Sequence, residues 1–222
     1  MSLIFNKIDK MSFDDLGDES EFIPLMTSED EEALEKENLP EVLPILPLTN
    51  TVLFPGVVIP INAGRDKSIK LINDANKSNK LIGVVSQKDI KIENPSIEDI
   101  YNVGTVAKIL RVLKMPDGNT TVIIQGKKRF KIKSVVKTDP YIQATISSLP
   151  DKNQRKSNNK FTATIDAIRD IALKIIKENP NIPSEASFAI KNIHSSAFLI
   201  NFVCSNMNIS VKDKQDLLSS LN

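Results

Sequence analysis

The sequence predicts an α+β protein, in which a small closed or nearly closed β-barrel with one inserted helix is followed by an α-helical bundle. Two observations predict this order. Hydrophobic residues alternate with a period of two between about residues 42 and 150, and they change to a helical period from residue 160. The polar segment 151–159 between the two regions is predicted to be a linker. With 222 residues, the chain is long enough to bury roughly 70% of its unfolded surface.

The first 41 residues differ from the rest in charge. They contain 13 Asp or Glu and 3 Lys, a balance of −10, whereas the whole chain has a net charge of +1. A segment this acidic and this poor in apolar residues does not offset its own ordering entropy. We therefore expect residues 1–41 to form a mobile acidic tail. The alternative is that the tail docks against the basic body of the chain or against a partner.

The segment LPILPLTNTVLFPGVVIPI, residues 43–61, is rich in strand-forming residues but interrupted by prolines. Proline has no amide hydrogen to donate, so it cannot lie in the middle of a fully paired strand. The interruptions predict short strand pieces with a sharp turn at Phe54-Pro55-Gly56. The four prolines concerned are Pro44, Pro47, Pro55 and Pro60.

The rest of the β region contains one helix and several strands. DKSIKLINDANKSNK, residues 66–80, has Ile69 and Ile72 at helical spacing, and LIGVV follows it as a short strand. Residues 104–115 are apolar at odd and even positions, which predicts a strand covered on both faces. Pro116–Gly118 then predicts a hairpin turn, and FKIKSVV and YIQATIS predict half-buried strands.

Three helices are predicted in the second half. The first has a stripe of apolar residues from Phe161 to Ile175. The second begins near Pro183 and continues through a strongly apolar stretch, with His194 inside it, to Cys204. The third begins at Ser210 with an acidic residue three positions later, which is typical of a capping box.

The residue types that most chemistry requires are scarce. The seven glycines are too far apart for a dinucleotide-binding or phosphate-binding loop, and one His and one Cys cannot form a structural zinc site. We expect His194 to be a packed or capping residue and Cys204 to be buried and inert. The sequence thus predicts no catalytic, cofactor-binding or metal-binding residue. Because it also lacks a signal peptide and a membrane-spanning stretch, we expect a cytoplasmic protein without a membrane partner.

Nucleic-acid binding is the main alternative function, and a cluster of basic residues favours it. QGKKRFKIKS places five basic residues, Lys127 to Lys133, around Phe130 on one β segment. However, the chain has no Trp and two Tyr for base stacking, and Phe130 alternates with the lysines and is therefore expected to point inward. A nucleic-acid-binding barrel is accordingly the weaker alternative.

Four motifs occur in an order that resembles the N-terminal domain of bacterial Lon proteases. They are the proline-punctuated segment 43–61, GTVAKI at 104–109, QGKKRFKI at 125–132 and SNMNISVKDKQDLLSSLN at 205–222. The resemblance covers residues 42–222 and implies a PUA-like β-barrel at 42–150 with a helical subdomain at 160–222. It also implies a non-catalytic role in recognising unfolded or tagged client proteins and in assembling a hexamer. The ATPase and Ser-Lys protease modules of such an ATP-dependent serine protease lie downstream. A free-standing LON-domain protein is the second choice.

Two surfaces are predicted to make these contacts. Interrupted pairing in segment 43–61 is expected to leave apolar side chains accessible to clients; the candidates are Leu48, Val52, Leu53 and Phe54. Residues 197–207 are apolar nearly all round, so one side is predicted to meet another subunit or the next module. The candidates there are Phe198, Leu199 and Phe202. The alternative at both places is that the side chains only form the core.

Overall fold

The structure is a computed structural model that describes residues 39–114, 120–149, 159–179, 182 and 185–220. Most of the predicted acidic tail, the predicted turn at Pro116–Gly118 and all but the last residue of the predicted linker lie outside these ranges. The domain boundaries drawn from the sequence therefore stay predictions.

Within the described residues, six strands lie between positions 42 and 148. They are β1 (Val42–Leu48), β2 (Val58–Ala63), β3 (Leu81–Ser86), β4 (Val103–Lys114), β5 (Thr120–Lys137) and β6 (Gln143–Ser148). One helix, α1 (Asp66–Asn76), lies between β2 and β3, as predicted, and a 3₁₀ turn at Ile97–Asp99 precedes β4. The predicted inserted helix is confirmed, although it ends four residues earlier than residue 80.

The strands form one mixed sheet in the order β2-β5-β4-β3-β1-β6. The β1–β3 pair is parallel and the other pairs are antiparallel. β5 also pairs with β6, so the neighbours β5, β4, β3, β1 and β6 form a cycle. A mixed sheet accompanied by helices confirms the α+β class, but a six-stranded sheet does not by itself establish the predicted PUA-like barrel.

Pro44 lies at a change of partner within β1, whereas Pro47 lies within the pairing with β3. Val42 to Pro44 pair with β6, whereas Ile45 to Leu48 pair with β3. Pro60 lies in β2, which is an edge strand paired with β5 alone. Since an edge strand and a change of partner both leave some amide positions unpaired, proline is tolerated there. The prediction of short pairing pieces is confirmed.

Phe54, Pro55 and Gly56 form the predicted turn. The Val57 amide donates to the Phe54 carbonyl at 3.2 Å, and Gly56 has a φ of 78°. Proline at the second position and a glycine with positive φ at the third are the features of a type II turn. The turn is held against β5 because the Gly56 amide donates to the Gly126 carbonyl at 2.9 Å and the Gly126 amide to the Val57 carbonyl at 2.9 Å.

Strand β4 is covered on both faces only over residues 104–107 of its twelve residues. Gly104, Thr105, Val106 and Ala107 are all buried, but Leu110 is 38% exposed. The β4–β5 register shifts between Ile109 and Arg111, so the regular alternation of faces is lost there. The prediction of a strand covered on both sides is therefore wrong beyond Ala107, since Lys108 is exposed as well.

The described residues from position 159 onwards form four helices: α2 (Asn159–Glu178), α3 (Glu185–Asn192), α4 (Ser196–Asn206) and α5 (Val211–Ser219). The predicted second helix is thus wrong as a continuous element. It is interrupted at residues 193–195, where Ser195 caps α4 by accepting a hydrogen bond from the Phe198 amide at 3.0 Å. The predicted cap at Ser210 is confirmed, because its hydroxyl oxygen accepts from the Asp213 amide at 3.1 Å.

The helices do not form a bundle with a core of their own. Buried residues from the sheet, such as Ile82 and Ile124, belong to one cluster with Ile190 and Phe198 from the helices. Helix α5 also bonds to the sheet, since the Gln215 side-chain amide donates to the Val103 carbonyl at 2.9 Å. Sheet and helices therefore share a core, and the prediction of a separate helical bundle is not supported.

Candidate functional site

The four side chains predicted to contact clients are buried. Leu48 is 6% exposed, and Val52, Leu53 and Phe54 are 2% exposed. The expectation that interrupted pairing leaves them accessible is therefore wrong in this conformation. Their backbone leaves regular pairing, as predicted, but their side chains fill the core shared by the sheet and the helices.

Hydrogen bonds from neighbouring strands hold this segment in place. The Thr105 hydroxyl donates to the Leu53 carbonyl at 2.6 Å, and the Ser86 hydroxyl donates to the Thr51 carbonyl at 2.7 Å. These side chains satisfy carbonyl groups that would otherwise be buried without a partner. An irregular segment can consequently be as buried as a paired strand.

The three helical side chains predicted to contact another subunit are also buried. Phe198 is 2%, Leu199 0% and Phe202 9% exposed. The two phenylalanine rings lie one turn apart on α4, with their centroids 6.1 Å from each other. A helix that is apolar all round is here enclosed by its own chain, so the prediction that these residues face a partner is wrong in this structure.

The two residues considered for nucleophilic chemistry lie in different environments. His194 is exposed in the break between α3 and α4, so it is neither packed nor inside a helix, whereas its expected alternative role as a capping residue stays a prediction. Cys204 is buried, and desolvation raises the pKa of its thiol, an effect that nearby Lys214 opposes. Within the described ranges, no three His, Cys, Asp or Glu residues are grouped as metal ligands.

Some residues of the basic segment 127–133 on β5 stabilise the fold. Phe130 is fully buried, as predicted. Arg129 is 9% exposed, and its guanidinium donates to the carbonyls of Leu218 and Ser220 at the C-terminal end of α5. Arg129 therefore stabilises the docking of a helix and is not part of a continuous basic surface. Lys131 and Lys133 are exposed.

A cleft of about 370 Å³ lies where β1 and α1 meet two loops. Ile45 and Leu46 from β1 and Leu71 from α1 line it but are each no more than 2% exposed, so half-buried residues such as Ile97 and Tyr141 supply the apolar surface that solvent reaches. Arg65 and Lys67 are the only charged residues among those that line it. The remaining lining residues are Pro47, Ser68, Asn94, Pro95, Ser96, Ile97, Thr138, Tyr141 and Ile142.

The polar residues around the cleft are held by hydrogen bonds. The Arg65 guanidinium donates to the side-chain carbonyl of buried Gln87 at 2.7 Å. The Tyr141 hydroxyl donates to the Asp74 carboxylate at 3.2 Å, and desolvation together with this carboxylate raises the pKa of Tyr141. Arg65 and Tyr141 are therefore fixed on two sides of an apolar depression.

The loop at residues 94–97 is closed by a capping box. The Ser96 hydroxyl and amide both donate to the Asp99 carboxylate, at 2.7 and 2.8 Å. These two bonds hold the pKa of Asp99 below its ordinary value. Sequence analysis missed the cleft because its walls come from four separate segments, and the only local signal was the turn-forming sequence Asn94-Pro95-Ser96.

Exposed apolar side chains are present on the helical side of the molecule. Ile171 is 60% and Ile175 45% exposed, and they lie one turn apart on α2. Phe188 on α3 is 69% exposed. Helices α2 and α3 are joined by a hydrogen bond from the Arg169 guanidinium to the Ile190 carbonyl. Within the described part of the chain, no helix combines the length and apolarity that crossing a membrane requires.

Solved structures share this fold. The N-terminal domain of a Mycobacterium avium complex Lon protease matches with a TM-score of 0.66 at 18% identity, covering 82% of this chain and 91% of that one. A Lon N-terminal domain protein from Xanthomonas campestris matches with a TM-score of 0.58 at 16% identity. The mixed sheet with its helices is therefore of the class found in Lon N-terminal domains.

Sequence comparison is more specific than the fold. Residues 42–222 match the family described as the ATP-dependent protease La (LON) substrate-binding domain. A Lon protease of Flavobacterium johnsoniae is 62% identical over 212 residues, which are 96% of this chain and 26% of that protein. A Lon protease of Cytophaga hutchinsonii is 52% identical over 198 residues, 89% of this chain and 24% of that protein.

The chain belongs to the LON substrate-binding domain family. It spans about a quarter of the length of the curated Lon proteases that it matches. The resemblance noted from four sequence motifs is thus confirmed over the same residues, 42–222.

Proposed function

We propose that this chain recognises unfolded or tagged client proteins for an ATP-dependent Lon-type serine protease, by weak and mostly apolar contacts. The observation that carries the proposal is the match of residues 42–222 to the substrate-binding domain family. ATP hydrolysis and Ser-Lys peptide cleavage would belong to the part of the relatives that this chain does not span. The chain would act in the cytoplasm.

The cleft between β1 and α1 is the proposed client site. It combines an apolar wall with polar groups in fixed positions, which is the composition expected of a binding site. Its half-buried residues Ile97 and Tyr141 reach solvent, unlike Leu53 and Phe54. A client side chain could therefore enter it without opening the core.

A single cleft of this size supports only weak binding. Several copies in one ring would raise the effective concentration of sites, so a client would be retained although each contact is weak. Weak individual contacts also allow the client to be released as it is drawn forward.

Titration against an unfolded protein tests the proposal. The 222-residue chain is added to fluorescein-labelled β-casein at low and moderate salt, and binding is followed by anisotropy. We expect saturable binding that persists at moderate salt and weakens at least fivefold in the double variant Ile97→Ser, Tyr141→Ser. The matched control is Leu217→Ser, which removes an apolar side chain that is 41% exposed and does not line the cleft, and it should leave binding unchanged.

A parallel titration with single-stranded and duplex DNA tests the rival. Binding to DNA alone, with a steep loss as salt rises, would contradict client recognition and favour a nucleic-acid-binding role. Equal loss of casein binding in Leu217→Ser and in the cleft variant would place the client site outside the cleft.

We also propose that the exposed apolar residues of α2 and α3 contact a neighbouring subunit of a hexamer. Ile171, Ile175 and Phe188 are the described residues that support this role, in place of the buried Phe198, Leu199 and Phe202. Sedimentation velocity at increasing concentration should show self-association that Phe188→Ser reduces. If the chain stays monomeric at every concentration, the apolar residues of α2 and α3 do not form a subunit contact that is stable without the other modules of the protease.

The cycle of strand pairs is the basis for a proposal about architecture. We propose that β5, β4, β3, β1 and β6 close as a PUA-like barrel, with β2 as an additional edge strand. The β5–β6 register that supports this pairs Ile132 with Ile146. Nuclear Overhauser contacts between the backbones of these two residues are expected, and their absence would favour an open sheet.

A further inference from the structure

We propose that the cleft is occupied within the same chain by residues 22–26, Phe-Ile-Pro-Leu-Met, an apolar segment flanked by carboxylates that competes with clients. Docking of the segment in the cleft does not depend on the proposed function. Only its effect on client binding rests on that function. The segment would act as an internal pseudo-client, and a client protein would have to displace it from the cleft in order to bind.

The sequence of the segment complements the cleft. Residues 18–32 contain seven Asp or Glu and no Lys or Arg, and these acids flank the five-residue apolar run on both sides. The cleft has an apolar wall, and Arg65 and Lys67 are the charged residues that line it. Apolar side chains in the depression with carboxylates at its rim would match both features.

Lys67 is the better placed of the two cations to attract the segment. Arg65 is half-buried and already donates to Gln87, whereas Lys67 is exposed on the first turn of α1. A carboxylate beside Lys67 would therefore not need to break an existing bond of Arg65. Because such a pair is exposed to solvent, it would guide the segment more than it would hold it, and the apolar residues would supply most of the affinity.

The described residues begin at Leu39, six positions before the cleft-lining residue Ile45. Leu39 packs against the same apolar cluster as Ile45, Ile97 and Ile142, which all line the cleft. The 13 residue-to-residue steps from Met26 to Leu39 can span up to about 43 Å when extended, at roughly 3.3 Å per step. The segment can thus reach the cleft without strain.

Attachment to the same chain makes weak docking sufficient. A short flexible connection gives an effective concentration on the order of 1 mM, so an interaction with a dissociation constant near that value would fill the cleft about half of the time. Clients would then bind with an apparent affinity reduced by the fraction of time that the cleft is closed to them.

Paramagnetic relaxation measures the docking directly. A spin label is attached at Ser28→Cys in the full 222-residue chain, with Cys204→Ala removing the other thiol. We expect broadening of backbone amides centred on Lys67, Ser96 and Tyr141. The variant Phe22→Ser, Ile23→Ser, Leu25→Ser keeps every acidic residue and should abolish this broadening.

A pair of charge variants on α1 provides the matched control. Lys67→Glu should weaken the broadening, whereas Lys70→Glu, an exposed lysine on the same helix that does not line the cleft, should leave it unchanged. Broadening that is not centred on the cleft, or that persists in the serine variant, would overturn the proposal. Spin-labelled chains can also be mixed with isotope-labelled chains that carry no spin label. Broadening that appears only in this mixture would show that the segment docks on a second copy, and it would also overturn the proposal.

Client binding is measured separately. If the segment competes with clients, the serine variant should bind labelled β-casein about twofold or more tightly than the native chain, as expected for a cleft that is half closed. Casein binding through the cleft without any broadening would refute the internal pseudo-client and leave the proposed function standing. Broadening at the cleft without casein binding in any variant would support docking and refute client recognition.

Discussion

The guanidinium of Arg129 on β5 donates a hydrogen bond to the carbonyl of Leu218 on α5 at 2.9 Å, across 89 positions of the chain. It also donates to the Ser220 carbonyl. The last carbonyls of a helix lack partners within the helix and carry partial negative charge. A buried cation from the sheet therefore stabilises the end of the final described helix.

Replacing Arg129 by Met should destabilise the protein. The change leaves the α5 carbonyls without their charged donor, and we expect a loss of about 2–4 kcal/mol in the free energy of unfolding, measured with urea. Lys131→Met, at an exposed position two residues along the same strand, is the control and should change this free energy by less than about 0.5 kcal/mol. Equal effects of the two changes would show that Arg129 does not anchor α5.

Gly126→Ala should disrupt the contact between β5 and the Phe54-Pro55-Gly56 turn. A Cβ atom at this position would lie 2.3 Å from the Phe54 carbonyl oxygen, a backbone atom that cannot move independently. We expect a loss of about 1–3 kcal/mol in thermal or urea unfolding.

The matched change is Gly64→Ala. No atom lies within 4 Å of a Cβ atom built at Gly64. This variant should be neutral or stabilising by up to about 1 kcal/mol, because alanine restricts the unfolded chain. A destabilised Gly64→Ala and an unaffected Gly126→Ala would together contradict the described packing of the turn.

Two phenylalanines distinguish core from surface on the helices. Phe198→Ala removes a side chain that is 2% exposed and should cost about 3–5 kcal/mol. Phe188→Ala removes one that is 69% exposed and should change stability by less than about 0.5 kcal/mol. The free energy of unfolding of both variants is measured by chemical denaturation. A large loss in Phe188→Ala would show that this residue packs within its own chain.

Cys204 should contribute to a loss of stability at alkaline pH. Burial raises the pKa of its thiol above 9.0, so the folded state keeps a proton that the unfolded state has released. The stabilisation is complete below pH 9.0 and is lost as the pH rises through the higher pKa of the folded state. The free energy of unfolding of the native chain should therefore fall more steeply above pH 9 than that of Cys204→Ala.

Lys214 acts in the opposite direction in the same range. Burial lowers its pKa, so its contribution to stability rises with pH towards 10.5. Both proteins in the comparison contain Lys214, and its contribution is largely removed when the two pH profiles are subtracted. Parallel profiles for the native chain and Cys204→Ala would contradict the raised pKa of the thiol.

Local patterns predicted the elements whose cause is local. The helix with Ile69 and Ile72, the turn at Gly56 and the cap at Ser210 depend on residues within a few positions of one another. The inward position of Phe130 followed from alternation along one strand. Pro44 and Pro60 were expected to limit pairing, because the missing amide hydrogen is a property of the residue itself.

Burial of the candidate contact residues could not be predicted in the same way. Leu53 and Phe54 lie in an irregular segment whose carbonyls are satisfied by distant side chains, such as Thr105 at 52 positions away. Phe198 is enclosed by elements far along the chain. In the sequence Arg129 is one of five neighbouring basic residues, and only the packing of α5 against the sheet shows that it binds the carbonyls at the end of that helix.

The sequence by itself determined the α+β class, the family, the inserted helix and the short, proline-limited strands, since periodicity and residue chemistry act over a few neighbouring positions. Tertiary structure alone decided which apolar residues are accessible, that sheet and helices share one core, and that a cleft forms where β1, α1 and two loops meet. Accessibility depends on packing between distant segments, and no local pattern records which segments will meet.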